Sequence, residues 1–232
     1  QVSFKKLLGN GSKFGLNIEF AIQPAPEGLA QSFIIGETFI GSSNVCLILG
    51  DNIFYGQGLI EKLNIAIKRK SGGTIFSYKV RNPKDFGVVE FDNEKKVISI
   101  EEKPKYPKSH HAITGLYFYD NDVIEIAKNI RPSDRKEYEI TDVNLAYLDK
   151  NKLNVESFGR GFAWLDTGTH DNLVAAGQFI QMIEKRQGFK IACLEEIAYR
   201  KKWISSKNLI DQSKQLGNTE YSDYLIDIIN EK

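Results

Sequence analysis

Val45-Cys46-Leu47-Ile48-Leu49 is a continuous apolar run of strand length that stops at Gly50-Asp51. A run without polar alternation is what a strand covered by helices on both faces looks like, so it predicts a central strand of a parallel sheet. Downstream, Leu59, Leu63, Ala66 and Ile67 recur at helical spacing, and Lys68-Arg69-Lys70 sits where cations suit a helix C-terminus. Gly73 to Val80 reads as a strand again. Upstream, Leu16 to Ile22 alternates with period 2 and predicts a half-buried strand. The turn Pro24 to Gly28 and a helical stretch from about Leu29 to Thr38 follow it. This β-α-β-α-β rhythm predicts an α/β fold: a Rossmann-like mixed, mostly parallel sheet flanked by helices.

The middle of the chain changes character. Gly87 to Phe91 and Val97 to Glu102 read as short strands joined at Asp92-Asn93-Glu94, and Ile113 to Tyr119 as a further strand. Helical patterns follow at Asp122 to Asn129 and around Ile140 to Lys150. Leu153 to Phe158 and Phe162 to Leu165 read as strands closing the sheet. From Thr169 onward the pattern is helical, with Phe179, Ile180 and Ile183 on one apolar face and Tyr224, Leu225, Ile228 and Ile229 on another. The expected division is an α/β domain over residues 1–168 and a helical annex over 169–232, sizes that suit one large domain with an appendage.

Composition narrows the function classes. Hydrophobic residues make up 41% of the 232 and charged residues 26%, which excludes disorder and fibrous repeats. No apolar run approaches the roughly 18 residues that span a bilayer, which excludes a transmembrane helix. Lys plus Arg number 31 against 30 for Asp plus Glu, so no strong field favours nucleic acid or an anionic membrane as partner. Cys46 and Cys193 are too few for a disulfide scaffold and have no zinc spacing, so a reducing cytoplasm is the expected compartment. The chain opens at Gln1-Val2-Ser3-Phe4 without an apolar signal segment, inside what reads as a helix to Leu8. A chain that opens inside an element reads as a fragment.

Two carboxylates stand at strand ends. Asp51 follows the apolar run, at the carboxyl edge where open α/β sheets bind ligands. Asp166 in Trp164-Leu165-Asp166-Thr167-Gly168-Thr169 follows a second short strand. Either can merely cap the next turn or helix. Together they suit Mg²⁺, which takes one or two carboxylates and completes its shell with water and substrate phosphates. Trp164 is either core or an apolar wall beside such an ion. Glu102-Lys103 is either a solvated pair or a divided site, the carboxylate accepting from sugar hydroxyls and the ammonium meeting a phosphate. Gln23 carries a donor and an acceptor side by side, as a nucleobase edge requires, and Gly28 lets backbone approach closely; the same residues also suit a rigid turn. His110, His111 and His170 lack metal-ligand spacing, and there is no Gly-x-Ser-x-Gly run or Walker A loop.

Taken in order, Gln23 to Gly28, Leu49-Gly50-Asp51-Asn52-Ile53-Phe54-Tyr55-Gly56, Phe86-Gly87-Val88-Val89, Glu101-Glu102-Lys103-Pro104, Thr114 to Asp120 and Trp164 to Thr169 closely resemble the glucose-1-phosphate thymidylyltransferases of the sugar nucleotidyltransferase family. The resemblance spans essentially the whole chain. It implies the nucleotide-diphospho-sugar transferase fold and Mg²⁺-dependent condensation of dTTP with glucose 1-phosphate to dTDP-glucose and pyrophosphate, for deoxysugar and surface polysaccharide synthesis. It implies thymine at Gln23 and Gly28, Mg²⁺ at Asp51 and Asp166, glucose along Gly87, Glu102 and Ile113, the sugar phosphate at Lys103, and Trp164 beside the site. Phe86 stands where the family usually has Tyr and belongs to the same substrate-binding set. Asp51, Lys103 and Asp166 would carry catalysis, and the assembly would be a homo-oligomer, typically a tetramer.

One element of the family pattern does not occur in these 232 residues: a Gly-rich loop bearing an Arg, which cradles the triphosphate. The chain by itself is therefore expected to be inactive. Two other classes are weighed against the transferase. A sugar-nucleotide-dependent glycosyltransferase usually carries Asp-x-Asp, whereas Ile53 stands at the matching position. A non-catalytic regulatory or assembly subunit would bind the dTDP-sugar without turnover.

Overall fold

The structure, a computed structural model, describes residues 2–231. It consists of two units, residues 23–173 and residues 2–22 together with 174–231. The first residues thus group with the C-terminal helices, whereas the sequence pattern put them with the α/β part. The reason is local. Leu16 to Ile22 forms no ladder and is no strand. Gly11 and Gly15, at φ 85° and 71°, wrap the chain around a 3₁₀ turn at Ser12–Phe14. A Cβ on Gly15 would stand 2.7 Å from the Trp203 carbonyl oxygen, and Gln212 Nε2 donates to the Lys13 carbonyl at 2.8 Å.

The helical unit holds α1 (Val2–Leu8) and, toward the C-terminus, most of α7 (His170–Gln187), then α8 (Leu194–Arg200), α9 (Ser206–Gln215) and α10 (Glu220–Asn230). Its core is Cys193, Leu209, Leu225 and Ile228. Ser205 and Asn208 cap α9 reciprocally, and Thr219 caps α10 by accepting from the Ser222 N–H. Each such cap contributes about 1 kcal/mol. Among the described residues no helix is long and apolar enough to cross a membrane.

The α/β unit carries the strands β1 (Val45–Ile48), β2 (Asn52–Tyr55), β3 (Gly73–Lys79), β4 (Gly87–Phe91), β5 (Val97–Glu102), β6 (His111–Tyr119), β7 (Leu153–Phe158) and β8 (Ala163–Asp166). Its helices are α2 (Gln31–Ile35), α3 (Glu37–Ile40), α4 (Leu59–Lys68), α5 (Val123–Asn129) and α6 (Ile140–Asp149). Six strands form one sheet in the order β5-β4-β6-β3-β7, with β1 beside the second half of β6, while β2 and β8 pair as a separate ribbon. The mixed sheet flanked by helices is as expected, but its predominantly parallel character is not: among the described pairings only β3–β7 is parallel. β4 and β5 are joined by a tight hairpin, which imposes antiparallel pairing. In that hairpin Asp92 Oδ1 accepts from the Glu94 and Lys96 amides.

The opening apolar run also lies elsewhere than expected. β1 runs antiparallel to β6, with Val45 and Leu47 packed on the core while Ile48 is 60% exposed. The central strand is β6, buried along nearly its whole length. A short apolar run has the same appearance at an edge as at a centre, and only its partners decide. One face of the sheet packs on α2, α5 and α6 through Phe33, Tyr119, Val123, Val143 and Tyr147. Tyr119 stacks on Tyr147 at 5.3 Å, and its hydroxyl donates to Asn144 Oδ1 at 2.6 Å. The other face packs on α4 through Phe76, Leu116, Phe158 and Ala66.

His111, at the start of β6, meets the Phe91 ring edge-on at 5.3 Å and has a buried Nδ1 without a hydrogen-bond partner. Its pKa is lowered from the ordinary 6.5, by burial first and then by Lys79 and His110. The unfolded chain therefore binds this proton more readily than the folded one. The contribution to stability is complete above the unfolded value and declines as pH falls through it toward the lower folded value. The melting temperature is expected to drop on acidification from about pH 7 to about pH 5, and His111→Phe to flatten that slope. Melting curves on both proteins across the range check it; parallel slopes would rule it out.

Candidate active site

The β1–β2 turn brings the two strand-end aspartates together. Asn52 is the register partner of Asp166 across the β2–β8 ribbon, which sets Asp51 beside Asp166 although 114 residues separate them in the sequence. Thr167 ties the turn down, its amide and hydroxyl both donating to the Asp51 carbonyl, at 2.8 and 2.9 Å. The sequence pattern did not predict β2, a ribbon strand with every residue half-buried.

Both aspartates open on a cleft of about 370 Å³, which every residue singled out in the sequence also lines: Gln23, Gly28, Asp51, Phe86, Gly87, Glu102, Lys103, Ile113, Trp164 and Asp166. Each aspartate has one carboxylate oxygen committed. Asn52 Nδ2 donates to Asp51 Oδ1 at 2.8 Å, and the Gly168 amide donates to Asp166 Oδ1 at 2.9 Å. The second oxygen of each accepts no hydrogen bond among the described residues. Among them, no three His, Cys, Asp or Glu side chains gather as a cage. The donor set is thus two single carboxylate oxygens, which fits a hard divalent cation whose remaining ligands are water and phosphate.

At one end of the cleft, Gly28 has φ 104°, and a Cβ there would stand 2.3 Å from the Tyr138 carbonyl oxygen. The loop is zipped to its neighbour by Tyr138 N–H to Glu27 O at 2.7 Å and Ala30 N–H to Tyr138 O at 3.2 Å. Gln23 Nε2 donates to the Gly28 carbonyl at 3.0 Å and to Gln31 Oε1 at 2.8 Å. Both amide hydrogens are used, so Gln23 offers a ligand its Oε1 alone, an acceptor.

At the other end, Gly87 pairs with Glu102 across β4 and β5. A Cβ on Gly87 would meet Glu102 Oε2 at 3.3 Å, Thr141 Oγ1 at 3.4 Å and Ile113 Cδ1 at 3.5 Å, so the missing side chain keeps Glu102 open to the cleft. Thr141 Oγ1 donates to Glu102 Oε2 at 2.5 Å. Lys103 follows β5 at φ 40°, a left-handed conformation costly for a residue with a Cβ, and its amide donates to the Phe86 carbonyl at 3.1 Å. Its ammonium pairs with no carboxylate among the described residues. The Trp164 ring stands 5.0 Å from Phe86 and 6.1 Å from Tyr78, a buried aromatic wall.

Sequence reasoning missed several lining residues, chiefly Asn52, Asp85, Arg135, Glu137, Glu139 and Thr141. Arg135 lies against Glu139, Nη2 meeting both carboxylate oxygens at 2.9 Å, and approaches Glu102 at 3.4 Å. The hydrogen bonds to Glu139 raise its pKa further, so it stays a cation. Its signal in the sequence is the Arg135–Glu139 spacing, which is common on any surface. The Tyr117 hydroxyl is pushed well up by burial and then by the charge of Glu102, and stays protonated. Asp51, Asp85, Glu102, Glu137, Glu139 and Asp166 therefore face only Lys103 and Arg135, an acidic cleft in which Lys103 is the one lining cation without a counter-ion among the described residues.

Residues 1–182 match the nucleotidyl transferase family. The chain is 53% identical over 227 residues to a glucose-1-phosphate thymidylyltransferase of Neisseria meningitidis serogroup A, covering 98% of this chain and 79% of that one. It is 50% identical over 226 residues to one of Mycobacterium tuberculosis, covering 97% and 78%. A Bacillus anthracis crystal structure assigned to the same activity, in complex with a sucrose, superposes with a TM-score of 0.69 at 36% identity, over 77% of this chain and 71% of that one. A UDP-glucose pyrophosphorylase complexed with UDP-glucose shares the fold, with a TM-score of 0.63 at 20% identity over 71% and 66%.

Proposed function

This chain belongs to the nucleotidyl transferase family, among its glucose-1-phosphate thymidylyltransferases, and we propose on that footing that it works on dTTP and glucose 1-phosphate through the cleft of the α/β unit. The reaction joins a sugar-phosphate oxygen to the α-phosphorus of dTTP in line and releases pyrophosphate, giving dTDP-glucose. The observation that carries the reading is the meeting of Asp51 and Asp166 in one cleft of about 370 Å³ that Gln23, Gly28, Gly87 and Glu102 also line.

Little covalent work falls to such a protein, and catalysis is positioning plus charge neutralisation. Glu102, held by Thr141, accepts from glucose hydroxyls in the space Gly87 leaves open. Ile113 and the Phe86–Trp164 wall close the apolar side. The unpaired ammonium of Lys103 holds the sugar phosphate for in-line attack. Asp51 and Asp166 would hold Mg²⁺, which supplies neutralisation of phosphate charge when bound. With Cys46 and Cys193 both free, the reading suits a reducing cytoplasm.

Gln23 supplies the test. Its free Oε1 accepts from the N3–H of thymine, whereas cytosine presents a bare acceptor at that position. An unmatched acceptor pair costs about 1–3 kcal/mol, or roughly 5–150-fold in affinity. Calorimetry is expected to show dTDP-glucose binding tighter than CDP-glucose by that factor. Equal heats and affinities for the two, or no binding of dTDP-glucose at all, would remove the reading.

A further inference from the structure

The turn that carries Asp51 continues into Asn52, whose carboxamide makes three bonds to cleft residues at once. Nδ2 donates to Asp51 Oδ1 at 2.8 Å, while Oδ1 accepts from Trp164 Nε1–H at 2.6 Å and from the Gly115 amide at 3.0 Å. The orientation of the amide is dictated by its surroundings: its oxygen faces two N–H donors, so its NH₂ faces the aspartate. Gly115 admits it, because a Cβ there would stand 2.7 Å from Asn52 Cγ and Oδ1. The side chain thereby spans from the β2–β8 ribbon to β6 of the main sheet.

With Oδ1 engaged, Asp51 has Oδ2 as its one oxygen free of hydrogen bonds among the described residues, and Asp166 is alike, its Oδ1 engaged by the Gly168 amide. We propose that Asn52 is a positioning residue that makes Asp51 a one-oxygen ligand, so that the site prefers a small octahedral cation to a large one. The inference rests on reading Asp51 and Asp166 as the metal pair. A small cation of the Mg²⁺ kind takes single oxygens in near-ideal octahedral geometry, whereas Ca²⁺ takes more ligands and accepts carboxylates through both oxygens. Loss of an outer-shell partner of this kind typically costs about 10–100-fold in metal affinity.

The test uses Mn²⁺ alone as probe, followed by the spin-resonance signal of the free ion, with Ca²⁺ as competitor and the whole chain without nucleotide. Asn52→Ala is expected to weaken Mn²⁺ binding by about 10–100-fold, and Trp164→Phe, which leaves the Asn52–Asp51 bond intact, by no more than about twofold. Asn52→Asp keeps both accepted bonds and the side-chain shape but replaces the donor with an anionic oxygen that repels Asp51 Oδ1 and frees it. In it Ca²⁺ is expected to displace Mn²⁺ about tenfold more effectively than in the unaltered chain. Thermal unfolding verifies that each variant is folded, and if Asn52→Ala is not, Asn52→Asp carries the test. An unchanged Mn²⁺-to-Ca²⁺ preference in folded Asn52→Asp overturns the proposal, as does a Trp164→Phe loss equal to that of Asn52→Ala. If the unaltered chain takes up no Mn²⁺, or Asp51→Asn takes up as much, the metal reading itself falls and takes the proposal with it.

Discussion

Assayed by themselves, these 232 residues are expected to release pyrophosphate from dTTP and glucose 1-phosphate at least about 10²–10³-fold more slowly than the same residues preceded by a Gly-rich, Arg-bearing segment from a relative. The cleft explains why. Its lining carries six carboxylates, and of its two cations Arg135 is already occupied by Glu139. Beside the Mg²⁺ that Asp51 and Asp166 would hold, Lys103 is the one lining cation left for the charge of a triphosphate and a sugar phosphate meeting at one phosphorus. Removing even one preorganised donor from such a transition state typically costs about 10²–10³ in rate. A continuous pyrophosphate assay on both forms decides the point. Comparable rates would show that the cleft of the chain alone suffices. A segment that restores nothing, while dTDP-glucose still binds, would favour a non-catalytic sugar-nucleotide-binding subunit.

In the form preceded by that added segment, Asp51→Asn and Asp166→Asn are each expected to lower the transfer rate by about 10²–10⁴. That range corresponds to several kcal/mol of charge stabilisation at tenfold per 1.36 kcal/mol. The double variant should lose little more than either single one, because residues acting on one ion are not additive. The amide keeps the shape of the carboxylate and the bonds that its committed oxygen accepts, so melting temperatures should change little. Rates at saturating substrate over a range of Mg²⁺ concentrations check this. Retention of more than about a tenth of the activity by either variant would remove that aspartate from the site.

Ten residues of the cleft were legible because they sit in short, ordered motifs, several of them at strand ends. Their meeting was expected from the resemblance, but the backbone that brings it about was not legible. It depends on β2, whose Asn52-Ile53-Phe54-Tyr55 lacks any alternation and pairs only with β8, far away in the sequence. The helical positions of α4, α5 and α6 followed from periodicity, whereas the strand directions did not. Val45 to Leu49 looked central because nothing in five apolar residues records what lies beside them. Leu16 to Ile22 has the alternation of a strand and no strand partner among the described residues. Arg135 escaped notice because a loop residue acquires meaning only through what it reaches, here Glu139 and Glu102.

The two aspartates are joined through a ribbon of two four-residue strands, and an isolated pair of strands is marginal on its own. Such a ribbon can part while the six-stranded sheet behind it stays intact, since opening free energies vary widely across one protein. Catalytic competence should therefore fade at milder denaturant than the bulk circular dichroism signal. The enzyme would be silenced reversibly, well short of losing its architecture.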